Sequence, residues 1–93
     1  MGPGEAMANK RTILIVDDDA ELRDALVEQL ALHEEFDAIS AESGTKGVHA
    51  AKNGQVDLVI MDVGLPDVDG REAVGILRKN GFKAPIIMLT GHD

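Results

Sequence analysis

The 93-residue chain contains no cysteine, which excludes a disulfide framework, a zinc-thiolate site and a thiol nucleophile. It is short of positive charge: nine Lys and Arg stand against 17 Asp and Glu, for a net charge of −8. Nucleic-acid backbones and anionic membranes both require a basic surface, so neither is an expected partner of this segment. Apolar runs are far shorter than a membrane span, and there is no signal-peptide core. The expectation is a cytoplasmic chain. Internal repeats, low-complexity tracts and a glycine-rich phosphate loop are absent as well. The three histidines, His33, His49 and His92, lack ligand spacing and read as surface residues.

What is present is a core. Leu, Ile, Val and Phe make up 26 of the 93 residues, above the range that signals disorder, and the length allows one small domain. Residues 1–9 (MGPGEAMAN) are aperiodic and read as a loose tail, with Met7 a plausible natural start. From Thr12 onward, short β-branched apolar runs alternate with helix-period segments. Strands are expected at Thr12–Val16, Phe36–Ala41, Val56–Met61 and Ile86–Leu89. Helices are expected at Ala20–Leu32, Thr45–Lys52 and Arg71–Lys79, with Asp19 as an N-cap and Asn53-Gly54 and Asn80-Gly81 as stops. Nearly unbroken apolar strands imply burial on both faces, and the βαβαβαβ order implies an open parallel α/β sheet.

In such sheets ligands bind beyond the carboxyl ends of the strands. The first strand ends in Asp17, Asp18 and Asp19, the third in Asp62, and the fourth in Thr90-Gly91. With the first and third strands adjacent, Asp17, Asp18 and Asp62 would converge. Two unpaired like charges 4 Å apart cost about 1–4 kcal/mol depending on the dielectric, so the cluster calls for a hard cation. Oxygen ligands without Cys or His favour Mg2+. Taken alone, three consecutive aspartates more often form a solvated turn or a helix cap. Asp67-Val68-Asp69-Gly70 faintly suggests a calcium loop, but Ile76 stands where the closing Glu belongs. A haloacid-dehalogenase-type phosphatase needs a second acid two residues after its nucleophile, where this chain has Gly64.

Three motifs together carry a resemblance: ILIVDDDAELR at Ile13–Arg23, LVIMDVGLPDVDG at Leu58–Gly70 and PIIMLTG at Pro85–Gly91. The chain resembles the receiver domain of two-component response regulators over about residues 10–93. The resemblance implies a flavodoxin-like (CheY-like) open parallel sheet with helices on both faces and the doubly wound order of that fold. It implies that Asp62 is the phosphoacceptor, serving a sensor histidine kinase or a phosphotransfer protein in an Mg2+-dependent reaction without turnover. Asp17 and Asp18 match the metal-holding pair, and Gly64 the position whose backbone carbonyl also ligates Mg2+. Thr90 matches the switch hydroxyl, and Gly91 the amide lent to the phosphoryl group. Pro66 and Gly70 shape the loop below the acceptor, glycine being expected there for a conformation that other residues disfavour.

The family pattern continues with a helix, a fifth strand ending in a lysine, and a last helix. The 93 residues stop after the fourth strand, so the fold expectation is a receiver truncated at that point. Lys83 precedes the fourth strand, at the wrong end to replace the lysine. Two expectations follow. The fourth strand is an open edge that invites a homodimer by edge pairing or domain swapping, unless the polypeptide is longer. Apolar residues such as Ile13, Ile15 and Val59 lose a covering helix. The alternative function is an incomplete, phosphorylation-impaired receiver that works by self-association or by docking to a partner.

Overall fold

The computed structural model describes residues 10–89. Within them the chain runs β1 (Arg11–Val16), α1 (Ala20–Ala31), β2 (Phe36–Ala41), α2 (Gly44–Asn53), β3 (Leu58–Asp62), α3 (Gly70–Lys79) and β4 (Ile86–Leu89). The strands form one parallel sheet in the order β2-β1-β3-β4. The expected tail at residues 1–9 lies outside the described residues. All seven expected elements are present, and the largest boundary difference is at β3. There Val56 and Asp57 lead into the strand: the Asp57 carboxylate accepts the Thr12 N–H at 2.8 Å, and the Asp57 N–H donates to the Thr12 carbonyl at 2.8 Å.

Register explains why the central strands read as continuous apolar runs. Leu14 pairs with Val59 and Val16 with Met61, and Val59 and Met61 pair onward with Ile86 and Met88. Partners in register share a face, so these side chains form a single layer beneath α2 and α3. Ala51 of α2 and Ala73 and Leu77 of α3 complete that core. Gly47 lets α2 descend onto β1, because a Cβ there would lie 2.7 Å from Val16 Cγ2. Burial of this apolar layer is the main stabilising term, at about 25 cal/mol per Å².

The opposite face is covered unevenly. α1 packs over β2 and β1, and none of its residues is fully buried. Its apolar residues Leu22, Leu26 and Leu30 are therefore only partly covered. Ile13, Ile15 and Val59, expected to lose cover, are buried (4, 0 and 0% exposed). The first two lie on a strand flanked by β2 and β3 beneath α1, and Val59 belongs to the α2–α3 core. The uncovered apolar surface lies elsewhere, in a groove beside α1 lined by Leu22, Leu26, Ile60, Met88 and Leu89, with Ile87 50% exposed on β4. Among the described residues, no helix is long and apolar enough to cross a membrane.

Candidate functional site

At the carboxyl ends of β1 and β3 the chain leaves the sheet on aspartates. Asp17 follows β1 directly and is 4% exposed, and Asp62 closes β3 and is 7% exposed. Asp18 is exposed. Carboxylate oxygens of Asp17, Asp18 and Asp62 lie within 4.8 Å of one another, so the adjacency of β1 and β3 makes the convergence expected from the sequence. The solvated-cap reading of the Asp run applies to its last member alone. Asp19 caps α1, its Oδ1 accepting from the N–H groups of Glu21 (3.0 Å) and Leu22 (3.2 Å).

The turn after β1 is held closed by two bonds. Asp17 Oδ1 accepts the Asp19 N–H at 2.9 Å, and Arg23 Nη1 donates to the Asp17 carbonyl at 2.8 Å. Asp62 Oδ1 accepts the Gly64 N–H at 3.3 Å. Burial pushes the Asp17 carboxyl above its ordinary value. The bond from Asp19 opposes that rise, while the negative charges of Asp62, Asp18 and Asp19 add to it. Neither ion pair among the described residues, Lys46–Glu42 or Arg71–Asp69, reaches the cluster. Three carboxylates with no ion-pair partner among the described residues, on a donor set made only of oxygen, fit Mg2+. Gly64 lines the same groove as the three aspartates. Thr90 and Gly91 lie outside the described residues.

Gly70 has a different role from the one expected. Among the described glycines only Gly81, at the end of α3, has a positive φ, at 88°. Gly70 is required instead by close approach: a Cβ there would overlap the Asp62 carbonyl oxygen and lie 2.9 Å from Val63 Cα. The Gly70 N–H donates to the Val63 carbonyl at 3.0 Å, closing the loop that leaves Asp62.

Asp67 and Asp69 hold no calcium loop, because both carboxylates cap helices. Asp69 accepts the Arg71 N–H at 2.7 Å at the start of α3. Asp67 reaches across to α2, where Oδ1 accepts the Gly44 N–H (2.9 Å) and Oδ2 accepts the N–H (2.9 Å) and hydroxyl (2.6 Å) of Thr45. The Thr45 bonds lead, and with the Gly44 bond they hold the Asp67 carboxyl well below its ordinary value. A depressed folded pKa stabilises fully above the ordinary value of 3.8 and fades as the pH falls below it. The stability lost in Asp67→Ala, measured by urea unfolding, is therefore expected to be smaller at pH 3 than at pH 6. An equal loss at both would contradict this account. Sequence reasoning missed the Asp67 contact because it joins residues 22 positions apart, which no local pattern marks.

A family model described as the response regulator receiver domain matches residues 13–93. The transcriptional regulatory protein PcoR of Escherichia coli is 38% identical over 81 residues, which cover 87% of this chain and 35% of that protein. This chain thus spans about a third of the length of the curated relatives it matches. The Thermotoga maritima response regulator TrrA, in complex with Mg2+-BeF, superposes with a TM-score of 0.81 at 36% identity, covering 89% of this chain and 71% of that one. TrrA in complex with the histidine kinase ThkA gives 0.80 at 36% identity, with the same coverage of both chains.

Proposed function

The chain belongs to the response regulator receiver family of two-component systems, and from that premise we propose that Asp62 accepts a phosphoryl group from a sensor histidine kinase or phosphotransfer protein. The observation that carries this reading is the convergence of the Asp17, Asp18 and Asp62 carboxylates within 4.8 Å at the ends of β1 and β3. In this reading the receiver unit spans residues 10–93. Asp17, Asp18, Asp62 and the Gly64 carbonyl hold Mg2+, as an acidic pocket of this kind does across the family. Mg2+ supplies, when bound, the positive charge that offsets the carboxylates and the incoming phosphoryl oxygens.

The chain's own residues do the rest. A carboxylate oxygen of Asp62 forms a bond to phosphorus as the phosphorus–nitrogen bond of the phosphohistidine breaks. The imidazole leaves with the bonding pair, and an acyl phosphate remains on Asp62. Arg23 holds the Asp17 carbonyl and so keeps the acidic pair turned toward Asp62. Thr90 and Gly91 supply the switch hydroxyl and an amide to the phosphoryl group, by the same motif match. The TrrA complexes with Mg2+-BeF and with a histidine kinase support the cofactor and the partner class. Among the described residues nothing favours a role by docking alone.

The test is intact mass after incubation with acetyl phosphate. One added phosphoryl group is expected with Mg2+ and none with a chelator. No uptake by the folded full-length chain in the presence of Mg2+ would overturn the proposal.

A further inference from the structure

The loop from Val63 to Asp69 carries Gly64 past the acidic site and is anchored at both ends. At its far end Gly70 lies against the backbone of Asp62 and Val63, with its N–H on the Val63 carbonyl at 3.0 Å. In its middle Leu65 is 8% exposed, and Val68 packs so closely on Gly44 that a Cβ at Gly44 would overlap it. Among the described residues Gly64 itself has only a long 3.3 Å bond to Asp62 Oδ1, and nothing lies within 4 Å of where its Cβ would be. Its position therefore depends on how its flanks are held.

The polar part of that anchorage is Asp67. Its two carboxylate oxygens take the Gly44 N–H, the Thr45 N–H and the Thr45 hydroxyl. Helix α2 already has an N-cap of its own, Ser43, whose Oγ accepts the Lys46 N–H at 3.2 Å. One local cap is what a helix start ordinarily has, so Asp67 adds more than a cap. α2 is seated in turn on Val16 through Gly47, immediately before Asp17. Asp67 thus ties the loop that follows Asp62 to the helix seated beside Asp17, bridging the two halves of the site with charge-assisted bonds.

We propose that Asp67 is a positioning residue for the acidic site: by clamping the Val63–Asp69 loop to the start of α2 at Thr45, it sets the Mg2+ affinity of the cluster formed by Asp17, Asp18 and Asp62. The inference rests on the reading of that cluster as an Mg2+ site. Groups that orient metal ligands without touching the ion typically contribute about 10- to 100-fold in affinity, and a loop carrying a single ligand belongs at the lower end.

The experiment is an Mg2+ titration of the full-length chain at neutral pH, followed by the amide shifts of Asp18 and Gly64, with a thermal melt of every variant. Asp67→Ala is expected to raise the Kd about tenfold. Thr45→Val, which removes one bond of the clamp, should raise it by a smaller factor, and Thr45→Ser, which keeps the hydroxyl, should match the wild type. If Asp67→Ala does not fold, the Thr45→Val and Thr45→Ser pair decides. A Kd unchanged in Asp67→Ala, or in Thr45→Val where that pair decides, would reduce the clamp to a helix cap and overturn the inference, whatever happens to the melts. A wild-type chain that shows no saturable shift at Asp18 or Gly64 would overturn the Mg2+ reading and the inference with it. A wild-type chain that binds while Asp67→Ala binds equally well would overturn the inference alone.

Discussion

Asp62→Asn is expected to abolish phosphoryl uptake from acetyl phosphate and Mg2+ while leaving the fold at least as stable as before. The loss is complete because the amide lacks the carboxylate oxygen that bonds to phosphorus. Stability is retained for an electrostatic reason. Asp62 is 7% exposed and shares a 4.8 Å cluster with Asp17 and Asp18, so neutralising it removes two repulsions of about 1 kcal/mol or more each. The asparagine oxygen can still accept the bond that Gly64 N–H now makes at 3.3 Å. Intact mass and a thermal melt without Mg2+ together check the prediction. Uptake that persists would move the acceptor to a neighbouring aspartate. A lower melting temperature without Mg2+ would mean that the Asp62 charge is compensated by a group outside the described residues.

The second large effect is steric. Gly70→Ala places a methyl group into the Asp62 carbonyl oxygen and 3.0 Å from the Asp62 carbonyl carbon. Those are backbone atoms of a strand paired on both sides, so they do not yield as a side chain would. Overpacking of buried sites costs about 1–3 kcal/mol, and a backbone obstacle belongs at or above the upper figure. For a small domain with about 5–15 kcal/mol in all, that is a large share. Gly75 is the internal control: it lies inside α3, with nothing within 4 Å of its Cβ position. Gly75→Ala should stabilise by about 0.5–1 kcal/mol, since alanine restricts the unfolded chain and favours helix. Urea unfolding of the two variants should move the midpoint in opposite directions. A Gly70→Ala protein as stable as the wild type would show that the loop is free to shift away from β3, and the tight seat of Gly70 would then be no constraint.

Much of this molecule was already present in local patterns. Runs such as Thr12–Val16 marked strands because a parallel strand covered on both faces needs apolar side chains at nearly every position, and Ile86–Leu89 keeps the same pattern although Ile87 is left half exposed. Asp19, Asn53-Gly54 and Asn80-Gly81 marked helix ends because caps satisfy backbone groups within two or three residues of themselves. Spacing from strand ends brought out Asp17, Asp18 and Asp62 as one constellation, and the LPDVDG run that follows carried the family resemblance.

The tertiary structure decided matters that depend on which distant segments meet. The sequence could rank Ile13, Ile15 and Val59 as apolar but not foresee their cover, because cover depends on where α1 lies over one face of the sheet and α2 and α3 over the other. The sequence showed a glycine at position 70. Only the meeting of α3 with the end of β3 showed that it is needed for space rather than for a left-handed turn. Asp67 belonged to a faint calcium-loop pattern that Ile76 already ruled out, and its partners came to light only where the loop after β3 meets α2, where its carboxylate binds Gly44 and Thr45. Periodicity, caps and strand-end chemistry act over a few residues and are written along the chain. Cover, close approach and the clamp arise between separate elements, eight residues apart at Gly70 and more than twenty at Asp67, where only the folded arrangement sets the distance.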